Sequence, residues 1–346
     1  MKIRFATFNL YQYVEPPQCW YRKSNTYKPS HWEAKKSWIK KRMEEMDADV
    51  VGFQEVFSHE SLKELMSSVG YPYFATVDDP GVRDEDPLVF DNPVVALASK
   101  SPIKAAEPVS VAPSIQEDLP LPDCFDFSRT PLRAEVEVAD GLIVEVFVAH
   151  LKSKRALVSQ PDFEETDSWQ DKVREAMRAI SRGQTASLLQ RGAEASALYH
   201  DVTNSLDGAD NRLVVVLGDL NDDEDSIALR ALTGSGRVNS VADVAYDDLP
   251  REAKRAVHQN RLYDAFHMAP NPEGGERPPT FNYKGKDQTL DYILLSNAIN
   301  PRSRADIGRV VDFIVYDDHL DSDGVGDHKQ SDHAQVVAEI EFHQSS

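Results

Sequence analysis

The sequence predicts an α/β fold, a four-layer α/β/β/α sandwich of two packed, mostly antiparallel sheets with their helices on the outside. Three observations predict it: many short apolar strands recur at modest spacing, the helical patterns gather in two regions, and several strands end on a polar residue. A doubly wound parallel fold would alternate strand and helix instead. A length of 346 residues suits two average domains or one large one, and the continuous rhythm favours a single domain over residues 1–346. The chain is 41% hydrophobic and 28% charged, enough apolar material for a sizeable core.

The opening segment MKIRFATFN reads as a buried strand that ends at Asn9. Residues 10–30 follow as a loop carrying Tyr11, Tyr13, Trp20, Tyr21 and Tyr27, a composition suited to binding or to a lid packed on its own aromatics. Ser30 to Glu33 matches the helix-opening box, and Trp32, Ile39, Met43 and Met46 then fall at helical spacing. ADVVGFQEV (48–56) is a second strand that delivers Glu55 at its far end, with a helix after it to about Gly70. The acidic stretch 78–92 reads as an exposed loop and 93–103 as a strand. LRAEVEV and LIVEVFVAHLKS form a hairpin about Asp140-Gly141, and its second strand ends at His150. An Ala- and Arg-rich pattern over about 163–202 predicts one long helix or two. RLVVVLGDLND is a continuous apolar run of the central-strand type, breaking at Gly218, and RLYDAFHM, TLDYILLS and AQVVAEIEF are the remaining strands.

With 58 acidic and 38 basic residues the formal charge is −20, the reverse of the basic footprint of a protein that clings to nucleic acid. That balance weighs against tight non-specific DNA binding but leaves room for hydrolysis of a polyanion, since a metal ion at a carboxylate-rich site inverts the local field. Cys19 and Cys124 are too few for a disulfide framework. With no apolar leader and no run of the ~20 apolar residues a bilayer needs, the expectation is a cytoplasmic monomer without stable membrane association.

Three segments carry candidate chemistry. In GDLND (218–222) the glycine lets the strand bend sharply, so Asp219 and Asn221 can face one ligand, although such a stretch also suits a simple turn. In SDHAQV (331–336) Asp332 and His333 diverge at the start of a strand, one able to bind metal while the other faces phosphate. Asp291 sits among apolar residues in TLDYILLS, where a carboxylate needs a partner, and His333 is the candidate. Lys152, Lys154 and Arg155 follow His150 and could guide a polyanion. The tail DDHLDSDGVGDHKQSDH fails the calcium-loop template, because the first ligand position falls on His319 and the last on Gln330. His319 and His328 are therefore expected in an acidic surface loop beside the site.

With FATFNL (5–10), GFQEV (52–56) and VAHLKSK (148–154), these segments stand in the order and spacing of the endonuclease/exonuclease/phosphatase superfamily, which the chain resembles from residue 1 to about 342. The HLKSK variant is most similar to the bacterial nuclease and phosphodiesterase branches. The resemblance implies a divalent-metal-dependent phosphodiesterase, a nuclease acting on nucleic acid or a nucleotide-like substrate, with a phosphatase or a phospholipid or sphingomyelin phosphodiesterase as the alternative. A binding module on a decayed scaffold is disfavoured, because every acid, amide and histidine required is present. It implies Glu55 as the principal ligand of Mg²⁺, with Mn²⁺ or Ca²⁺ as substitutes, and Asn9 and Asp332 completing or orienting that site. Asp219 would activate water, Asn221 fix the phosphate, and His333, held by Asp291, face His150 across the phosphoryl oxygens. Arg129 matches a basic position near the phosphate, and Tyr11 replaces the aspartate that abasic-site endonucleases carry there, which weakens a repair role.

Overall fold

The computed structural model describes residues 1–122, 125–158, 163, 168–206, 212–270, 277–303, 306–320 and 329–343. Cys124, His328 and most of the acidic tail loop lie outside these residues. In chain order the strands of the two large sheets are β1 (Lys2–Tyr13), β2 (Val50–Val56), β3 (Tyr73–Ala75), β4 (Val94–Ser99), β5 (Ile103–Pro108) and β6 (Leu132–Ala139). They continue with β7 (Leu142–His150), β8 (Val214–Asp219), β9 (Leu262–Asp264), β10 (Asp291–Ser296), β11 (Gly308–Tyr316) and β12 (Gln335–Phe342). The first sheet runs β11-β12-β1-β2-β4-β3 and the second β9-β10-β8-β7-β6-β5. Each holds one parallel pair, β1 with β2 and β7 with β8, among antiparallel neighbours.

Strand alternation explains the layers. Ile3 and Phe5 of β1 point between the sheets, where they meet Val146 and Val148 of β7, Val215 and Leu217 of β8, and Ile293 and Leu295 of β10. Ala6 and Phe8 point the other way, against Trp32, Ile39 and Met43 of helix α1 (Pro29–Met46) and Leu62 and Met66 of α2 (His59–Ser68). Trp20 and Trp38 join that outer layer. On the far side Phe147, Val214 and Val216 pack under Leu198 and Val202 of α3 (Trp169–Leu206), a single helix of 38 residues. At 1.5 Å per residue it is about 57 Å long. Its first turn leaves Trp169 81% exposed.

Several expectations change. Strand β1 does not stop at Asn9 but continues to Tyr13 through a register shift, because Tyr11 and Gln12 take left-handed backbone conformations that bend it around the end of β2. Ser30 does not cap α1; Lys28 takes the cap position without a side-chain bond, and Pro29, whose fixed φ suits the first turn, starts the helix two residues earlier. The stretch 78–92 contains strands Gly81–Arg83 and Asp86–Asn92, which pair with each other, the second also with Cys19–Trp20, in a small separate sheet. The segment 93–103 divides between β4 of the first sheet and β5 of the second, and RLYDAFHM leaves β9 for a short helix at Ala265. Helix α3 leaves Ile180, Leu188 and Leu189 exposed, and apart from Leu198 and Val202 the residues it buries are small or polar.

Two glycines set the spacing near the strand ends. A Cβ on Gly52 would stand 3.0 Å from Cβ of Leu217, so the sheets approach closely there. A Cβ on Gly218 would stand 2.3 Å from the carbonyl oxygen of Ala149 on the neighbouring strand. Gly218→Ala should therefore destabilise the fold by about 1–3 kcal/mol, read as a lower urea midpoint. An unchanged midpoint would show that the backbone yields.

Candidate active site

The alternation that builds the core also builds the site. His150, Asp219 and Asp291 continue the inward-facing rows of β7, β8 and β10, and the register pairs His150 with Asp219 and Asp219 with Asp291. Three neighbouring strands thus end on one polar row. Asn9 continues the inward row of β1 in the opposite sheet and donates from Nδ2 to Asp219 Oδ2 at 3.0 Å. His150 Nε2 lies 3.4 Å and His333 Nε2 3.8 Å from the same oxygen. His333 Nδ1 is 2.8 Å from Asp291 Oδ2, the partnership expected from the sequence. Asn9, His150, Asp219, Asp291 and His333 are all buried.

Loops fix the remaining groups. Tyr11, Gln12, Glu55 and Asn221 all have positive φ, between 51° and 59°, in a region that non-glycine residues avoid. Strain of about 1–3 kcal/mol each is concentrated where side chains must be aimed. The turn at Tyr11 directs the Gln12 amide at Glu55 Oε2, 2.8 Å, and the Tyr11 amide at Asn9 Oδ1, 3.0 Å. Asn221 gives its backbone N–H to Asp219 Oδ1 and one side-chain N–H to the carbonyl of Leu151, both at 3.0 Å. Its second side-chain N–H remains for a ligand. Ser331, which the sequence did not single out, ties the end of β1 to the segment entering β12 within the first sheet: its hydroxyl donates to the Asn9 carbonyl at 2.6 Å and accepts the His333 amide at 3.0 Å.

Electrostatics divide the two histidines. Burial, with Arg129 and His333 nearby, holds the His150 imidazole well below its usual value, so it is neutral. Burial also disfavours charge on His333, but Asp291 and Asp219 outweigh it and hold that ring well above its usual value, as an imidazolium. Burial, together with Asp291 and Glu55, pushes Asp219 up to about 7 against the opposing pull of His333. Asp332 rises to about 6 through burial, with Glu55 adding to the rise.

A divalent cation fits the Glu55–Asp332 side of this site. Those are hard oxygen donors, Asp332 Oδ1 is buried with no protein hydrogen-bond partner among the described residues, and two carboxylates acting on one another favour a shared cation. A second donor group lies beside it: Asp219, Asp291 and His333 offer ligand atoms within 4.8 Å of one another. There His333 Nδ1 and both Asp219 oxygens already hold hydrogen bonds, while Asp291 Oδ1 is, like Asp332 Oδ1, buried with no partner among the described residues.

Of the substrate candidates, Tyr11 lines a cleft of about 670 Å³ with Trp38, Phe281, Tyr283, His319 and Asp332. Its hydroxyl is pushed to about 12 by burial and by Asp332 and Glu55. Tyr13 and Trp20 are buried, 4.7 Å from the Trp32 ring and 4.9 Å from the Tyr27 ring, so these aromatics pack on one another and do not stack on a ligand. Tyr21 likewise meets Phe57 at 5.7 Å. Arg129 Nη1 donates to the Leu151 carbonyl at 3.2 Å, beside His150, and Lys152 is half-buried just beyond it. Lys154 is paired with Asp223 at 2.6 Å. His319 is not in an exposed loop: its ring packs 5.0 Å from Trp38 and its Nε2 lies 3.0 Å from the His333 carbonyl.

Through its family this α/β sandwich is a metal-dependent phosphoesterase. The chain belongs to the endonuclease/exonuclease/phosphatase family, whose model matches residues 6–333. Among solved structures it is similar to a family protein from Bacteroides thetaiotaomicron, with 14% identity and a TM-score of 0.55 over 100% of this chain and 99% of that one. It is also similar to the catalytic domain of human Nocturnin with bound sulfate, at 16% identity and TM-score 0.55 over 99% and 95% of the two chains. A third is ANGEL2, a 2',3'-cyclic phosphatase in complex with adenosine-2',3'-vanadate, at 14% identity and TM-score 0.57 over 98% and 95%. No curated protein sequence matches the chain. No helix among the described residues is long and apolar enough to cross a membrane.

Because His150 is buried neutral, its folded value lies below the unfolded 6.5, and the stability this contributes is present above 6.5 and lost as pH falls. His150→Gln should therefore keep more of its neutral-pH melting temperature at pH ~5 than the wild type does. Equal acid sensitivity in the two proteins would contradict a neutral His150.

Proposed function

We propose that the chain, as a single catalytic domain over residues 1–346, is a divalent-metal-dependent phosphodiesterase, a nuclease acting on nucleic acid or a nucleotide-like substrate. One observation carries the reading: three adjacent strand ends of one sheet place His150, Asp219 and Asp291 opposite Asn9 and His333. A carboxylate titrating near 7, an imidazolium and a neutral imidazole thereby lie buried side by side. That is a base and two different donors within reach of one atom.

Asp219, oriented by the amide of Asn9, accepts the proton of the attacking water, and its raised affinity for a proton near neutral pH suits it to that task. His333 presents its Nε2 proton to the phosphoryl oxygens while Asp291 holds the ring. His150, kept neutral, offers an N–H rather than a charge to the leaving-group side. Asn221 contributes its spare amide proton, and Arg129 and Lys152 supply the positive charge nearest the site. Mg²⁺, or Mn²⁺ or Ca²⁺ in its place, when held by Glu55 and Asp332 with Asn9 orienting the site, supplies Lewis-acid stabilisation of the phosphoryl charge.

The negative surface supports a substrate gripped at one phosphate over a duplex bound along its length. A phosphomonoester or phospholipid substrate is the alternative, and simple substrates separate the two. Purified protein with Mg²⁺ or Mn²⁺ should hydrolyse bis(p-nitrophenyl) phosphate, lose the activity in EDTA, and lose about 10²–10³-fold in kcat in His333→Ala. Faster turnover of p-nitrophenyl phosphate would move the reading to a monoesterase, and no turnover of either would remove it. Glu55→Gln should raise the metal concentration needed for half-maximal rate, with little change in KM at saturating metal.

A further inference from the structure

Helix α3 carries an unusual stripe. Gly183, Ser187, Arg191 and Glu194 recur at spacings of four, four and three, so they share one face, and all four are buried. That face meets backbone from the loops of the active site. Glu194 Oε1 accepts the amide and the hydroxyl of Ser128, at 2.8 and 2.6 Å, and Oε2 accepts the Lys152 amide at 2.6 Å. One turn earlier, Arg191 Nη1 donates to the Lys152 carbonyl at 3.1 Å and Nε to Asp222 Oδ2 at 2.8 Å. Both backbone polar groups of Lys152 are therefore held by one helical turn. Ser187 donates to the Arg155 carbonyl at 2.6 Å and receives the Leu157 amide at 3.2 Å, extending the grip along the same loop.

These contacts lead directly to the reacting groups. Ser128 precedes Arg129, and Asp222 follows Asn221. Leu151, between His150 and Lys152, accepts both Arg129 Nη1 and Asn221 Nδ2 on its carbonyl and donates its amide to the Asp219 carbonyl at 3.1 Å. Three chain segments far apart in sequence thus meet at one dipeptide, which the helix holds from behind. A carboxylate with only 1% of its surface exposed is costly to bury unless its oxygens are filled, and donors from two loops fill them. The carboxylate also lies amid the cations Arg129, Lys152 and Arg191, which repel one another and gain a common counter-charge.

We infer that Glu194, with Arg191, is a positioning residue of the active site, setting where Arg129 and Lys152 meet the substrate's phosphate. The inference rests on the phosphodiesterase reading for its consequence, but not for its geometry. Hydrogen exchange measures the clamp without turnover. In Glu194→Gln the amides of Ser128 and Lys152 should exchange faster while those at the centres of β8 and β10 stay protected. Unchanged exchange at Ser128 and Lys152 overturns the inference, as does uniform acceleration throughout the chain, which would mark Glu194 as a general stabiliser.

Kinetics then measure the consequence. Glu194→Gln should lower kcat/KM by about 10–100-fold, chiefly through KM, and its effect should shrink when Arg129→Ala is already present. Full multiplication of the two losses overturns the inference. Should Glu194→Gln fail to fold, Ser128→Ala removes one of the four bonds to the carboxylate, the fourth being from Gln190 Nε2, and should show a smaller loss with the same dependence on Arg129. A wild-type protein inert toward every phosphoester would defeat the functional reading while leaving the exchange result standing.

Discussion

Everything at the site turns on one carboxylate, Asp219, buried between two sheets and pushed by that burial up to about 7. A buried, unsatisfied carboxylate is among the more expensive groups a fold can contain. Asp219 receives Asn9 from the facing sheet and the Asn221 amide from its own loop, with His150 and His333 within 4 Å. The contact with Asn9 joins the two sheets at the end where the apolar packing stops. The polar seam is therefore part of the structure that closes the sandwich, as well as the place where chemistry is expected.

The backbone conformations around that seam show what holding it requires. Tyr11, Gln12, Glu55 and Asn221 are strained, and each is stabilised by a hydrogen bond made at or beside the strained residue. Gly218 lets β8 run close to the Ala149 carbonyl immediately before Asp219. Rigid strands supply the row of acids and histidine, while bent termini aim the amides and Glu55. Division of labour of this kind keeps the donors fixed and lets loops determine the ligand.

The strand-borne part of this arrangement was legible in the sequence because inward-facing strand residues follow a period of two. Once Val144, Val146 and Val148 are placed in the core, His150 must face the same way, and the same count places Asp219 after Leu217 and Asp291 before Ile293. The parts that stayed hidden depend on long-range partners. Glu194 and Arg191 sit in an Ala- and Arg-rich helix whose composition suggests a solvated face, and only the distant amides of Ser128 and Lys152 reveal a buried one. Strand β11, half-buried at a sheet edge, lacks the continuous apolar run that marked β8. The acidic stretch 78–92 gave no strand signal because its charged residues and prolines mask the alternation, although Gly81–Arg83 and Asp86–Asn92 pair with each other locally and the second also with the distant Cys19–Trp20.

The distribution of tryptophan has an optical consequence. Trp20, Trp32 and Trp38 all belong to the outer layer of the first sheet, and Trp169 is largely in water at the tip of α3. The second sheet and its covering helix bury no indole. Intrinsic emission will therefore follow melting of the layer formed by α1, α2 and β1, with a constant red-shifted background from Trp169. The half of the molecule that carries His150, Asp219 and Asp291 is dark to tryptophan emission, and a tryptophan placed in its outer core would make its unfolding visible separately.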